Sequence, residues 1–123
     1  MSSNRALPPC MGVFLPVQGV AQEVDFTALA DVMALIGGWP ERVSTEHGQG
    51  TLVVNEDGAL LGLPVNDRAT GIASILNESG DDFEKLVVIH GDVVLAGPVD
   101  DQGELLPLHP NVRKRVIALS KLA

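Results

Sequence analysis

The side chains able to do chemistry in this 123-residue chain are few and scattered. His47, His90 and His109 share no close spacing with one another or with Cys10, the single cysteine. No Cys-x-x-Cys, His-x-x-x-His or calcium-loop pattern occurs, so no dedicated metal site is expected. Asp81-Asp82 and Asp100-Asp101 read as solvated acidic turns. Ser74, Ser79, Ser120, Thr70 and Cys10 carry nucleophilic atoms, but none lies in a nucleophile elbow. Cys10 follows Pro9 with no visible group to stabilise a thiolate. Gly37-Gly38 and the glycines at 48 and 50 form neither a dinucleotide fingerprint nor a phosphate-binding loop. No catalytic residue, metal or cofactor is therefore expected, and the chain reads as a non-enzyme.

The candidate binding residues are polar and aromatic side chains on loops and caps: Trp39, Asn55, Glu56, Asn66, Arg68, Thr70, His90 and Asp92. Free N–H groups at a helix start over residues 66–70, with Arg68 as counter-charge, could hold an anion. Asp67 opposes that. The plainer reading has Asn66 capping the helix and Arg68 pairing with an acid such as Glu56. Asp92 and Glu56 could form a carboxylate pair if their two turns meet, although turn duty for Asp92 is the simpler account. Trp39 is expected to pack back on a helix end.

The elements that would position these residues centre on residues 51–70. Leu52, Val53 and Val54 have strand character, Asp57-Gly58 suits a type I′ turn, and residues 59–63 are expected to return as a second strand. Gly62 would mark a bulge and Pro64 the end of pairing. Asn66 or Asp67 caps a helix with Ala69, Ile72, Ala73 and Leu76 on one face. Upstream, residues 1–12 read as a flexible lead-in. A first strand is expected over 13–17, with Pro16 at a strand end or a sheet edge, and a second over 20–26. Asp25 is the expected cap of a helix carrying Phe26, Leu29, Val32, Met33 and Ile36, which Gly37-Gly38 stops before Trp39-Pro40. Residues 40–45 form a strand and 47–50 a loop. Downstream, residues 77–82 read as a polar loop, and 86–90 and 93–96 as strands. Gly91-Asp92 between them fits either a two-residue hairpin or a bulge in one long strand. Residues 104–108 suit a short edge strand. Pro110 opens a last helix, residues 110–123, striped by Val112, Val116 and Leu119. Strands in hairpin-linked runs between helices indicate an α+β fold: one small domain over 13–109, a mostly antiparallel sheet packed by two to three helices.

Composition narrows the function classes. Apolar residues make up 46% of the chain, which excludes a wholly disordered one. Aromatics are only 3%, with no Tyr, which leaves no stacking platform for nucleic-acid bases. The formal charge of −8 opposes binding to phosphate backbones. Half of the eight basic residues, Arg113, Lys114, Arg115 and Lys121, lie in the last helix, so an acidic body docking its own basic helix is expected. No apolar run approaches the roughly 20 residues that span a bilayer, and the Pro-rich start lacks a signal-peptide core. A cytoplasmic protein is the expectation.

Four stretches together resemble one family: Ile36-Gly-Gly-Trp-Pro-Glu41 with Val43, then Leu52-Val-Val-Asn-Glu-Asp-Gly58, then Leu61-Gly-Leu-Pro-Val-Asn66 with Arg68-Ala69, then Ile89 and Gly91-Asp-Val-Val94. Over about residues 20–97 the chain is similar to the family known as domain of unknown function 3846. Trp-Pro stands where Tyr and an aliphatic residue are expected after Gly-Gly, and both termini lie outside the resemblance. The resemblance implies a small protein common in phages, plasmids and other mobile elements, without an assigned activity. With the absence of catalytic motifs, it leads to a non-enzymatic accessory protein that binds a protein partner and self-associates as a homodimer, with the last helix as a candidate dimer element. The alternative is a module that binds a small nucleotide-like signal, and a small hydrolase is the weakest reading.

Overall fold

The computed structural model describes residues 10–26, 29–44, 50–76 and 88–121. Within them the chain is an α+β domain with a five-stranded antiparallel sheet and three helices. The strands are β1 (Cys10–Leu15), β2 (Gln22–Phe26), β3 (Pro40–Ser44), β4 (Thr51–Asn55) and β5 (Val93–Ala96), in spatial order β2-β1-β5-β4-β3. The helices are α1 (Leu29–Ile36), α2 (Asp67–Leu76) and α3 (Pro110–Ser120). No helix among the described residues is long and apolar enough to cross a membrane.

The last strand in the sequence is the central strand of the sheet. β1 pairs with β2, β3 pairs with β4, and β5 enters between the two hairpins. Successive side chains of a strand point to opposite faces, and both faces here are covered. Val13, Leu15, Leu52, Val54, Val93 and Leu95 face α2 and α3, where Ala69, Ile72, Ala73, Leu108 and Val116 complete one core. Phe14, Val53, Val94 and Ala96 face the other way, against Val32, Leu35 and Ile36 of α1. That explains why β4 and β5 read as continuous apolar runs instead of alternating ones. Each fully buried Val or Leu stabilises the fold by roughly 1.5–3 kcal/mol.

Several expectations change. The 51–63 hairpin does not form. After β4 the chain winds through consecutive turns over residues 56–62, with Leu61 N donating to Asp57 O and Leu63 N to Gly58 O. β4 already has β3 on one side and β5 on the other, so a returning strand would have no free backbone edge to pair with. Gly62 ends this winding, and no bulge is present there. Residues 91–92 make neither a hairpin nor a bulge. His90 forms a lone bridge to Val65, the chain kinks at Gly91 with φ +84°, and β5 starts at Val93. Asp25 does not cap α1, because it pairs with Met11 inside the sheet. Residues 104–108 contribute a single bridge, Leu105 to Val99, and no full strand. Pro16 ends β1, which is an inner strand.

The expected stop of α1 holds. Gly37 N donates to Met33 O at 2.8 Å and Gly37 takes φ +78°, the left-handed position a glycine adopts without strain. The basic last helix docks on the domain as expected: Arg113 Nε meets Glu23 of β2 at 2.6 Å. Residues 10–12 of the expected lead-in belong to β1, whereas residues 1–9, residue 45 of the expected strand, residues 47–49 of the expected loop, the polar loop over 77–82 and residues 86–87 of the expected strand lie outside the described residues.

Candidate functional site

β1 and β4 both run antiparallel to β5, so they deliver their C-terminal ends to the edge of the sheet where β5 begins. The end of α1 comes to the same edge, because the chain reverses at Gly37 and Pro40 then pairs with Asn55. Between these ends lies a cleft of about 620 Å³. Phe14, Pro16, Val17 and Gln18 line it from the end of β1, Ile36 and Gly37 from α1, and Asn55 from β4. Leu61, Leu63 and Pro64 close one side, and Gly91 and Asp92 another. The volume lies within the range of roughly 300–1,000 Å³ common for ligand pockets. The lining is chiefly apolar, and among the described residues Asp92 is its one ionisable side chain.

Two polar side chains of the cleft, Asp92 and Asn55, are held by backbone groups. Asp92 Oδ1 accepts from Val17 N at 2.8 Å, which ties the loop after β1 to the start of β5. Asn55, buried at the end of β4, accepts on Oδ1 from Asp57 N at 2.9 Å and donates from Nδ2 to Ile36 O at 3.4 Å. The first bond is the local side-chain turn that Asn favours, and it starts the 56–62 winding. At Gly91 the positive φ of +84° is the conformation that favours glycine, and Leu63 Cδ1 lies 2.8 Å from where a Cβ would stand.

A smaller hollow of about 120 Å³ gathers Glu41, Glu56, His90 and Asn55 with Val43, Val54 and Ile89. His90 Nδ1 donates to Leu63 O at 2.9 Å. Glu56 is exposed on its rim. Among the described residues no three His, Cys, Asp or Glu side chains converge to hold a metal. Ser74 Oγ donates to Thr70 O and Ser120 Oγ to Ile117 O, each within its own helix.

The structure thus brings Asn55 and Asp92 into the cleft, and Asn55, Glu56 and His90 around the hollow. The other candidates lie elsewhere. Asn66, 1% exposed, caps α2 by accepting from Ala69 N, and its Nδ2 donates to Leu15 O and Gly91 O, both at 2.9 Å. Thr70 Oγ1 accepts from Ile89 N at 3.1 Å. Arg68 does not pair with Glu56: its Nη1 donates to Gly19 O at 2.7 Å, so it holds the β1–β2 turn. Trp39 does not pack back on α1. It is 68% exposed at the start of β3, because the turn that Gly37 allows lays Gly38 against Asn55 and carries the next side chain outward.

Sequence reasoning missed the apolar half of the cleft, Phe14, Ile36, Leu61 and Leu63. It also missed that Leu60 and Leu61 stand in solvent, 88% and 64% exposed. The available signal was two adjacent leucines in a stretch full of turn residues. Their strand-like composition would need a pairing edge that β3 and β5 already occupy on β4.

The model of the family described as domain of unknown function 3846 matches residues 12–120. The match takes in β1 and α3, beyond the motifs that carried the resemblance, and the chain belongs to that family. No curated protein and no solved structure matches the chain.

Proposed function

We propose that this member of the domain of unknown function 3846 family is a non-enzymatic accessory protein of a phage or other mobile element, acting by binding a protein partner at the cleft edge of its sheet. The mobile-element setting rests on the family resemblance. The observation that carries the binding reading is the 56–62 segment. It is wound by three successive backbone hydrogen bonds, yet it presents Leu60 and Leu61 to water beside an apolar cleft. Single exposed apolar residues are ordinary, but an apolar rim on a concave apolar floor marks an interaction surface. A homodimer through the α3 stripe finds less support, since Val116 is buried in the chain's own core with Val112 and Ile117 packed beside it. A second copy would have to use another face.

A small-ligand reading draws on the cleft volume. A nucleotide-like signal fits poorly there, because the described lining residues offer a carboxylate and no cation, and Arg68 is engaged at Gly19. A neutral or cationic ligand fits better.

Capture from host lysate with the wild-type chain and with Leu61→Asp, read by native mass spectrometry, separates the two. The exposed position of Leu61 lets the variant fold. A protein bound at defined stoichiometry by the wild type, and reduced about tenfold or more by the variant, supports the reading. Equal capture by both sinks it, and a small mass retained on the wild type replaces it with the ligand reading.

A further inference from the structure

We infer that the partner segment seated in this cleft carries an arginine or lysine, whose charged head meets Asp92 while its aliphatic stem and an apolar neighbour lie against Phe14, Leu61 and Leu63. The inference rests on the protein-binding reading and names the chemistry of the partner.

Among the described residues Asp92 is the only ionisable one that lines the cleft. It is half-buried, and its one hydrogen bond among the described residues uses one oxygen, to Val17 N. Among the described residues it forms no ion pair. The carboxylate is also fixed in place: Gly91 before it kinks beneath Leu63, and Val93 after it is fully buried in β5. A carboxylate in the wall of an apolar cleft costs desolvation when a guest covers it, unless the guest brings the opposite charge. An apolar guest would strand it, and an acidic guest would be repelled. An Arg or Lys suits both halves of the site, since its stem packs on apolar surface and its head forms charge-assisted hydrogen bonds. The chain's net charge of −8 draws such a partner in from a distance.

The test uses the full chain, ¹⁵N-labelled, titrated with three short peptides that differ at one position: Leu-Arg-Leu, Leu-citrulline-Leu and Leu-Glu-Leu, each flanked by Gly-Ser. Backbone amide shifts are followed, together with the Asp92→Asn variant, in which the retained oxygen still accepts from Val17 N. The arginine peptide is expected to shift the amides of Val17, Leu61 and Asp92. Citrulline or Asp92→Asn should weaken it about tenfold, and the glutamate peptide should not bind. Shifts centred elsewhere, equal binding of arginine and citrulline, or no binding of any peptide would overturn the inference. Lysate capture keeps the two readings apart: a partner lost with Leu61→Asp but retained by Asp92→Asn leaves protein binding standing and removes the basic anchor.

Discussion

Asn66 shows how far one side chain can hold a fold together. It ends the extended stretch after the 56–62 turn, starts α2, and bonds two carbonyls that belong to β1 and to the kink before β5. Its Nδ2 protons satisfy acceptors that the sheet leaves open where β5 begins. Asn66→Ala removes a cap and strands buried carbonyls, so a stability loss of about 2–4 kcal/mol is expected in urea denaturation. A loss below about 0.5 kcal/mol would show that water replaces these bonds freely. The same residue had two readings in the sequence, a helix cap and part of an anion site. Its burial decides for the cap, because a group 1% exposed with both amide protons engaged has nothing left to offer a ligand.

The elements divide into those that hold the cleft and those that hold the domain. The 56–62 winding presents Leu60 and Leu61, and α1 supplies Ile36 and Gly37. On the opposite face α3 contributes to the core: Val116 is 1% exposed, while Lys114 and Arg115 face water. Val116→Ala should therefore cost about 1–3 kcal/mol by opening a core void. Lys114→Ala should stay within about 0.5 kcal/mol of wild type, since exposed substitutions rarely matter. Thermal melts of both variants, with mass measured in solution, check this. If Val116→Ala left the melting temperature alone but changed the oligomeric mass, α3 would be an interface after all.

At the scale of the whole molecule, an acidic body with an apolar cleft at one sheet edge should bind its partner partly by charge. Raising ionic strength from about 0.05 to 0.5 M should weaken the wild-type complex with the arginine peptide several-fold, and the Asp92→Asn complex much less. A titration at both salt concentrations checks the difference, and equal salt sensitivity would remove Asp92 as its source. The fold itself was legible in the sequence wherever the signal was local. The Val32 and Ile36 part of the α1 stripe (its expected first member, Phe26, lies in β2), the stop at Gly37, the Asn66 cap, Pro110 opening α3 and the apolar runs of β4 and β5 each depend on residues within a few positions of one another. The family motifs were legible for the same reason. Only the tertiary structure decided that β5 enters between β1 and β4. Periodicity tells which face of a strand is buried but not which strand lies beside it. That placement, with β3 already on the other side, fills both edges of β4, turns the expected return strand into an exposed leucine-bearing turn, and brings Phe14, Leu61 and Asp92 around one cleft from three distant parts of the chain.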